Sequence, residues 1–145
     1  MIKRKIDRYL ADFFDTHKKA LMLTGARQIG KTYSIRRFGH EHFERFVEIN
    51  FIENPSLVKV FSKAKNCQDI LLRLSTVTSQ DLIKGNTLVF FDEVQECPEI
   101  VTAIKFLVEE GSYRYILSGS LLGVEIKNLR SAPVGYMDEI GRAHV

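Results

Sequence analysis

The sequence predicts an α/β domain: a parallel sheet with helices packed on both faces. Three observations predict it. Short apolar runs alternate with stretches of helical periodicity, the central runs are apolar on both sides, and most of them end in glycine, serine or acidic residues. Strands apolar on both sides need cover on both faces, which right-handed helical crossovers supply. Sites in such sheets lie at the carboxyl ends of the strands.

Each element follows from its residues. Ile2, Ile6, Leu10, Phe13 and Phe14 recur at helical spacing, so residues 3–15 read as an amphipathic helix. Ala20-Leu21-Met22-Leu23-Thr24 is a short apolar run ending at Gly25, a buried strand. A helix begins near Gly30, and Gly39 is its expected C-terminal cap. Phe46 to Phe51 is a second strand, and Asn54-Pro55 reads as a cap followed by a first helical position. Helices are expected over 56–63 and 68–75, with a shorter one near 79–84. Gly85-Asn86 signals a turn before Thr87-Leu88-Val89-Phe90-Phe91, a third strand that runs into Asp92-Glu93. Pro98 opens a helix closed by Gly111, with Ile100, Val101, Ile104, Leu107 and Val108 on its buried side. Tyr113 to Leu117 is a fourth strand ending in Ser118-Gly119-Ser120, and a short helix is expected near 120–128.

Composition narrows the class. The chain has 145 residues, 45% hydrophobic and 27% charged, with a formal charge of +3. That is an ordinary globular domain rather than a disordered or fibrous chain, and so mild a basic excess neither demands nor excludes nucleic acid. Cys67 and Cys97 form no Cys-x-x-Cys pair, so they read as ordinary thiols in a reducing, cytoplasmic setting. No apolar stretch approaches the roughly 18 residues of a spanning helix, and charges interrupt the start of the chain where a signal peptide would be apolar.

The decisive motif is Gly25-Ala26-Arg27-Gln28-Ile29-Gly30-Lys31-Thr32, a full match to G-x-x-x-x-G-K-[ST], the Walker A phosphate loop. Glycine at both ends lets the backbone fold so that successive N–H groups point at phosphate oxygens, and the following helix adds its positive end. Lys31 then reaches the β- and γ-phosphates, and the Thr32 hydroxyl is a Mg²⁺ ligand. A random window matches about 4 times in 100,000 at ordinary residue frequencies. Here the match also lies between a strand and a helix, as its mechanism requires. Gly25, Ala26, Arg27, Gln28, Ile29, Gly30, Lys31, Thr32 and Tyr33 are the expected nucleotide contacts.

Phe90-Phe91-Asp92-Glu93 supplies the other half, a Walker B element. Asp92 is the expected second Mg²⁺ ligand, acting through a water, since Mg²⁺ keeps several waters and binds few carboxylates. Glu93 is placed to polarise a water for in-line attack on the γ-phosphorus. Ser118, with Ser120 as the alternative, offers a hydroxyl for sensing the γ-phosphate or orienting that water; a plain turn is the other reading. The sequence lacks an Asn-Lys-x-Asp guanine-reading element, and no arginine clamp for a kinase acceptor is plain in it. Mg²⁺-dependent ATP hydrolysis is therefore favoured. Two alternatives stay open: a nucleotide-dependent switch or adaptor for a protein or DNA partner, with little hydrolysis, and a small nucleotide kinase.

Taken together, Leu23 to Thr32, Phe91-Asp92-Glu93-Val94-Gln95 and Leu117-Ser118-Gly119-Ser120 resemble prokaryotic AAA-type ATPases that carry a C-terminal domain of unknown function. Ser131 to Tyr136 resembles that family's approach to its fifth core strand, and the resemblance covers residues 5 to 138. It implies a three-layer P-loop NTPase core with strand order 5-1-4-3-2 and an incomplete fifth strand. It also implies nucleotide contacts at Gly25 through Thr32, Mg²⁺ at Thr32 and Asp92, and a catalytic role for Glu93. A missing C-terminal domain, oligomerisation and a protein or DNA partner belong to the same expectation, and the fragment is expected to bind nucleotide even if it does not turn over.

The remaining candidates read as structural. Lys3, Arg4, Lys5 and Arg8 form a solvated helix face, Arg36 and Arg37 solvate the second helix, and His40 and His42 are only loosely a metal pair. Arg27 supports the loop from within, or serves as an arginine finger. Ile140-Gly141-Arg142-Ala143-His144-Val145 is what the codons ATC GGA AGA GCA CAC GTC encode, a string like a sequencing-library adapter, and a GAG codon adds Glu139. Residues 139–145 are therefore expected to be a non-native tail on a truncated domain, 1–138.

Overall fold

The computed structural model describes residues 2–23, 29–120, 134–139 and 142–144. The expected contacts Gly25, Ala26, Arg27 and Gln28, the expected helix over 120–128 and the approach to the fifth strand before Val134 lie outside them.

Helix α1 (Ile2–Thr16) leads into β1 (Ala20–Leu23), and α2 (Ile29–His42) into β2 (Arg45–Asn50). Two helices, α3 (Ser56–Ser62) and α4 (Cys67–Val77), precede β3 (Thr87–Asp92). A 3₁₀ turn (Val94–Glu96) and α5 (Pro98–Glu110) connect β3 to β4 (Arg114–Ser118); β5 (Val134–Glu139) and β6 (Arg142–His144) follow. The sheet order is β2-β3-β4-β1-β5-β6. Read from the other edge, the first five strands stand in the order 5-1-4-3-2, and their pairings are parallel. The sixth, antiparallel to β5, is an addition made by residues set apart above as a tail. The fifth strand pairs with β1 at each of its positions from Ala20 to Leu23.

Side-chain alternation sorts the core into two halves. Leu21, Leu23, Leu88, Phe90 and Ile116 face one way and pack with Ile6, Leu10, Phe13 and Phe14 of α1 and Ile35 and Phe38 of α2. Met22, Val89, Phe91, Tyr115 and Leu117 face the other way, against Phe61 of α3, Ile70 and Leu74 of α4 and Ile100, Ile104 and Leu107 of α5. The result is three layers, and it explains why the central strands read as apolar throughout.

Several local expectations need correction. Helix α2 does not stop at Gly39 but runs on to His42. Gly39 is inside the helix because the Phe46 ring of β2 lies against it; a Cβ there would stand 2.8 Å or less from three ring carbons. Residues 79–84 are not helical. Their backbone is used elsewhere: Asp81 O accepts from Arg45 Nε at 2.9 Å, while Ile83 N donates to Thr87 Oγ1 and Ile83 O accepts from it. Pro55 stands at the N-cap of α3, which starts at Ser56 without a side-chain cap bond. By contrast Gly111 closes α5 in the left-handed region at φ 83, with its N–H on Leu107 O, as a glycine C-cap does.

Candidate functional site

The carboxyl ends of four neighbouring strands meet in one register row. Asn50 pairs with Asp92, Asp92 with Ser118, and Ser118 with Leu23. Parallel strands lie about 4.8 Å apart, so Asp92 is about 10 Å along the row from the residue where β1 ends. From Leu23 the chain enters the glycine-rich segment, and α2 opens at Ile29. Lys31 is therefore in the first turn of α2, where backbone N–H groups lack intrahelical acceptors and the helix end is positive. It is only 5% exposed. Thr32 beside it is half-buried, and Tyr33 faces outward with the Arg37 guanidinium 5.4 Å from its ring centre.

The acidic pair is buried as well, Asp92 at 3% exposure and Glu93 at 7%. Asp92 Oδ1 accepts from the Glu93 N–H at 2.9 Å, and Oδ2 accepts from Asn50 Nδ2 at 3.3 Å. The Asn50 side chain is itself fixed, because its Oδ1 accepts from the N–H groups of Ile52 and Glu53 at 2.9 and 3.0 Å. Asn50 thus orients the aspartate with one end of its amide and closes the turn after β2 with the other. Glu93 departs from strand geometry altogether: φ 59 and ψ 47 place it in the left-handed region, where a residue with a Cβ is strained. Its Oε1 accepts from Gln95 Nε2 at 2.9 Å.

Helix α2 also carries charge toward the row. Arg36 makes a two-pronged pair with Glu48 at 2.7 and 2.8 Å. That hydrogen bond is the main reason its guanidinium is held above its ordinary basicity, with smaller Coulombic contributions from Glu48, Glu53 and Asp92. Arg37 pairs with Asp7 of α1. The reading of both arginines as merely solvating is corrected: one ties α2 to β2 and the other ties it to α1. His40 lies edge-on to Phe46 and His42 stacks on Phe38, so both rings are in aromatic contact. A cavity of about 470 Å³ bordered by Arg36, Glu48, Asn50 and Glu53 opens at the β2 end of the row.

Two participants escape the sequence reading. Asn50 is hidden by a one-residue shift, since a strand drawn from Phe46 to Phe51 places it in the interior rather than at the end. Gln95 enters only as part of a motif, with no task of its own; the signal for it is a carboxamide two residues past a glutamate that leaves the strand.

A model of the AAA domain family matches residues 17–141. The chain belongs to that family. This AAA domain is also similar to the C. elegans protein PCH-2 in a solved structure, with a TM-score of 0.51 and 14% identity. The match covers 99% of this chain and 41% of that one, and at this identity it speaks for the fold alone. No curated protein sequence matches the chain. No helix among the described residues of the AAA domain is long and apolar enough to cross a membrane.

Membership places the domain in a nucleotide-binding ATPase family, and the donor set suits that class. A threonine hydroxyl and an aspartate carboxylate are hard oxygen donors, which Mg²⁺ takes in preference to nitrogen or sulfur. Among the described residues no group of three or more His, Cys, Asp or Glu side chains could hold a metal. A Mg²⁺ brought in with a nucleotide and held by one carboxylate is compatible with that.

Proposed function

We propose that the domain binds Mg·ATP and hydrolyses it, with residues 1–138 as the nucleotide-binding unit and 139–145 as a non-native tail. The observation that carries this reading is the buried Asp92 on the strand-end row with the buried Glu93 next to it, two strands from the end of β1, after which α2 carries Lys31 in its first turn.

Each residue then has a task. The amides of Gly25 through Gly30, with the positive end of α2, bind the phosphate chain, and Ala26, Arg27, Gln28, Ile29 and Tyr33 flank it. Lys31 neutralises charge on the β- and γ-phosphates, where its burial strengthens the attraction. Thr32 and Asp92 hold Mg²⁺, which supplies charge stabilisation at the phosphate oxygens when bound. Asn50 and the Glu93 N–H fix the Asp92 carboxylate for that purpose. Glu93 accepts a proton from water as it attacks the γ-phosphorus, and the Ser118 hydroxyl orients either that water or the phosphate.

The same proposal extends to oligomerisation and to a protein or DNA partner for the full-length protein in the cytoplasm.

Nucleotide binding by calorimetry and phosphate release, measured on the same preparations, test the reading. Lys31→Ala should weaken Mg·ATP binding by about 10- to 100-fold, the worth of a charge-assisted hydrogen bond. Glu93→Gln should leave binding within about twofold and suppress hydrolysis by about 100-fold or more, the range for a positioned acid–base group. Chelating Mg²⁺ should stop release in the parent chain. Unchanged affinity in Lys31→Ala removes the phosphate site, and undiminished turnover in Glu93→Gln removes the proposed base.

A further inference from the structure

The 3₁₀ turn after β3 bends Gln95 back toward Glu93, and the Gln95 carboxamide is used at both ends. Its Nε2 donates to Glu93 Oε1 at 2.9 Å, and its Oε1 accepts the N–H of Ser120 at 3.2 Å. Ser120 follows β4, and its neighbour Gly119 donates to Leu23 O, the last residue of β1, at 3.2 Å. One amide therefore joins the glutamate to the segment after β4, and that segment is fastened to the strand that enters the phosphate loop. Gly119 fits this arrangement. It stands at φ 157, and a Cβ there would fall within contact distance of Gln95 Oε1 and 3.0 Å from Val94 N. A carboxamide both donates to a carboxylate and accepts from an N–H, whereas an ionised glutamate cannot donate and leucine does neither.

We propose that Gln95 is a positioning residue: it holds the Glu93 carboxylate and makes its placement depend on the Gly119–Ser120 segment. A shift of that segment when the γ-phosphate arrives or leaves would then reach Glu93 through a single side chain. Glu93 is otherwise held in a strained backbone conformation, which a second fixed point at its carboxylate helps to maintain. The inference rests on the reading of Glu93 as the group that directs water.

The test compares the parent chain with Gln95→Leu, Gly119→Ala and Glu93→Gln, each checked for folding by its urea midpoint. Single-turnover hydrolysis of Mg·ATP and its dissociation constant are measured for each. Gln95→Leu should lower the rate at least tenfold and leave the dissociation constant within twofold. Gly119→Ala, which displaces the carboxamide without altering Gln95, should move the rate in the same direction. A rate within twofold of the parent in Gln95→Leu, or an equal loss of affinity and rate, overturns the inference.

If Glu93→Gln hydrolyses normally, the reading of Glu93 fails instead; if it is inactive while Gln95→Leu is normal, that reading stands and the positioning role falls. A second arm needs no turnover. In the nucleotide-free chain labelled with ¹⁵N at glutamine, the Gln95 side-chain amide resonance should shift in both Glu93→Gln and Gly119→Ala. A resonance that stays put in both variants refutes the bridge.

Discussion

Replacing Glu93 by glycine should leave the domain more stable than replacing it by alanine, the reverse of the usual order. The residue sits at φ 59 and ψ 47, within a few degrees of the ideal left-handed conformation at about +57° and +47°. A side chain with a Cβ pays about 1–2 kcal/mol there, whereas glycine pays nothing for the geometry. Glycine gives back roughly 0.5–1 kcal/mol through its greater freedom in the unfolded chain. Both variants lose the same hydrogen bond from Gln95, so that contribution cancels in the comparison. The net difference is about 0.5–1 kcal/mol in favour of glycine. With a urea slope of about 2 kcal/mol/M, the glycine midpoint should lie roughly 0.3–0.5 M above the alanine midpoint at an unchanged slope. Neither variant should hydrolyse ATP. An alanine midpoint equal to or above that of glycine would refute the argument, since Glu93 would then not be held in the left-handed region.

Two further predictions concern the scaffold. Gly39→Ala should destabilise the domain by about 1–3 kcal/mol, the usual cost of forcing a methyl into a filled space, because the new carbon meets the Phe46 ring. Pairing it with Phe46→Leu should return part of that loss in the same urea titration. The buried Cys97 thiol is pushed up from 9.0 to about 11, first by its burial and then by the charge of Glu99. The folded state holds that proton more tightly than the unfolded chain, so its contribution to stability is complete below about pH 9 and lost as the pH climbs through about 11. Across that window the parent should lose up to about 2–3 kcal/mol that Cys97→Ala does not lose; parallel pH profiles would show that the thiol does not titrate differently on folding.

Much of the fold and the site is legible in the sequence because it depends on local chemistry. Leu88 to Phe91 are apolar on both sides since both sides are in fact covered, and Pro98 and Gly111 bracket α5 through their own backbone preferences. Asp92 and Lys31 are readable because strand ends and helix starts are where such groups gather. What the sequence does not disclose depends on residues far apart in the chain. Gly39 resembles a stop signal until the Phe46 ring is seen against it, and the residues near 79–84 could pass for a helix until Arg45 and Thr87 claim their backbone groups. Asn50 was hidden by the exact end of a strand, the least certain feature of any such reading. The task of Gln95 emerges only when the segment after β4 is brought beside the turn after β3.

The seating of β1 between β4 and β5 bears on how the protein is made. The first strand to leave the ribosome finds its neighbours only in residues 114–118 and 134–139, so the nascent chain carries four wholly apolar residues with no backbone partner until most of it has been synthesised. Arg114 repeats the delay, since its guanidinium donates to the carbonyls of Phe14 and His17 at the end of α1. Pairings of such long sequence separation are slow to form and leave sticky edges exposed meanwhile. Synthesis arrested before β4 emerges should therefore yield a species that binds chaperones or aggregates rather than a smaller folded core.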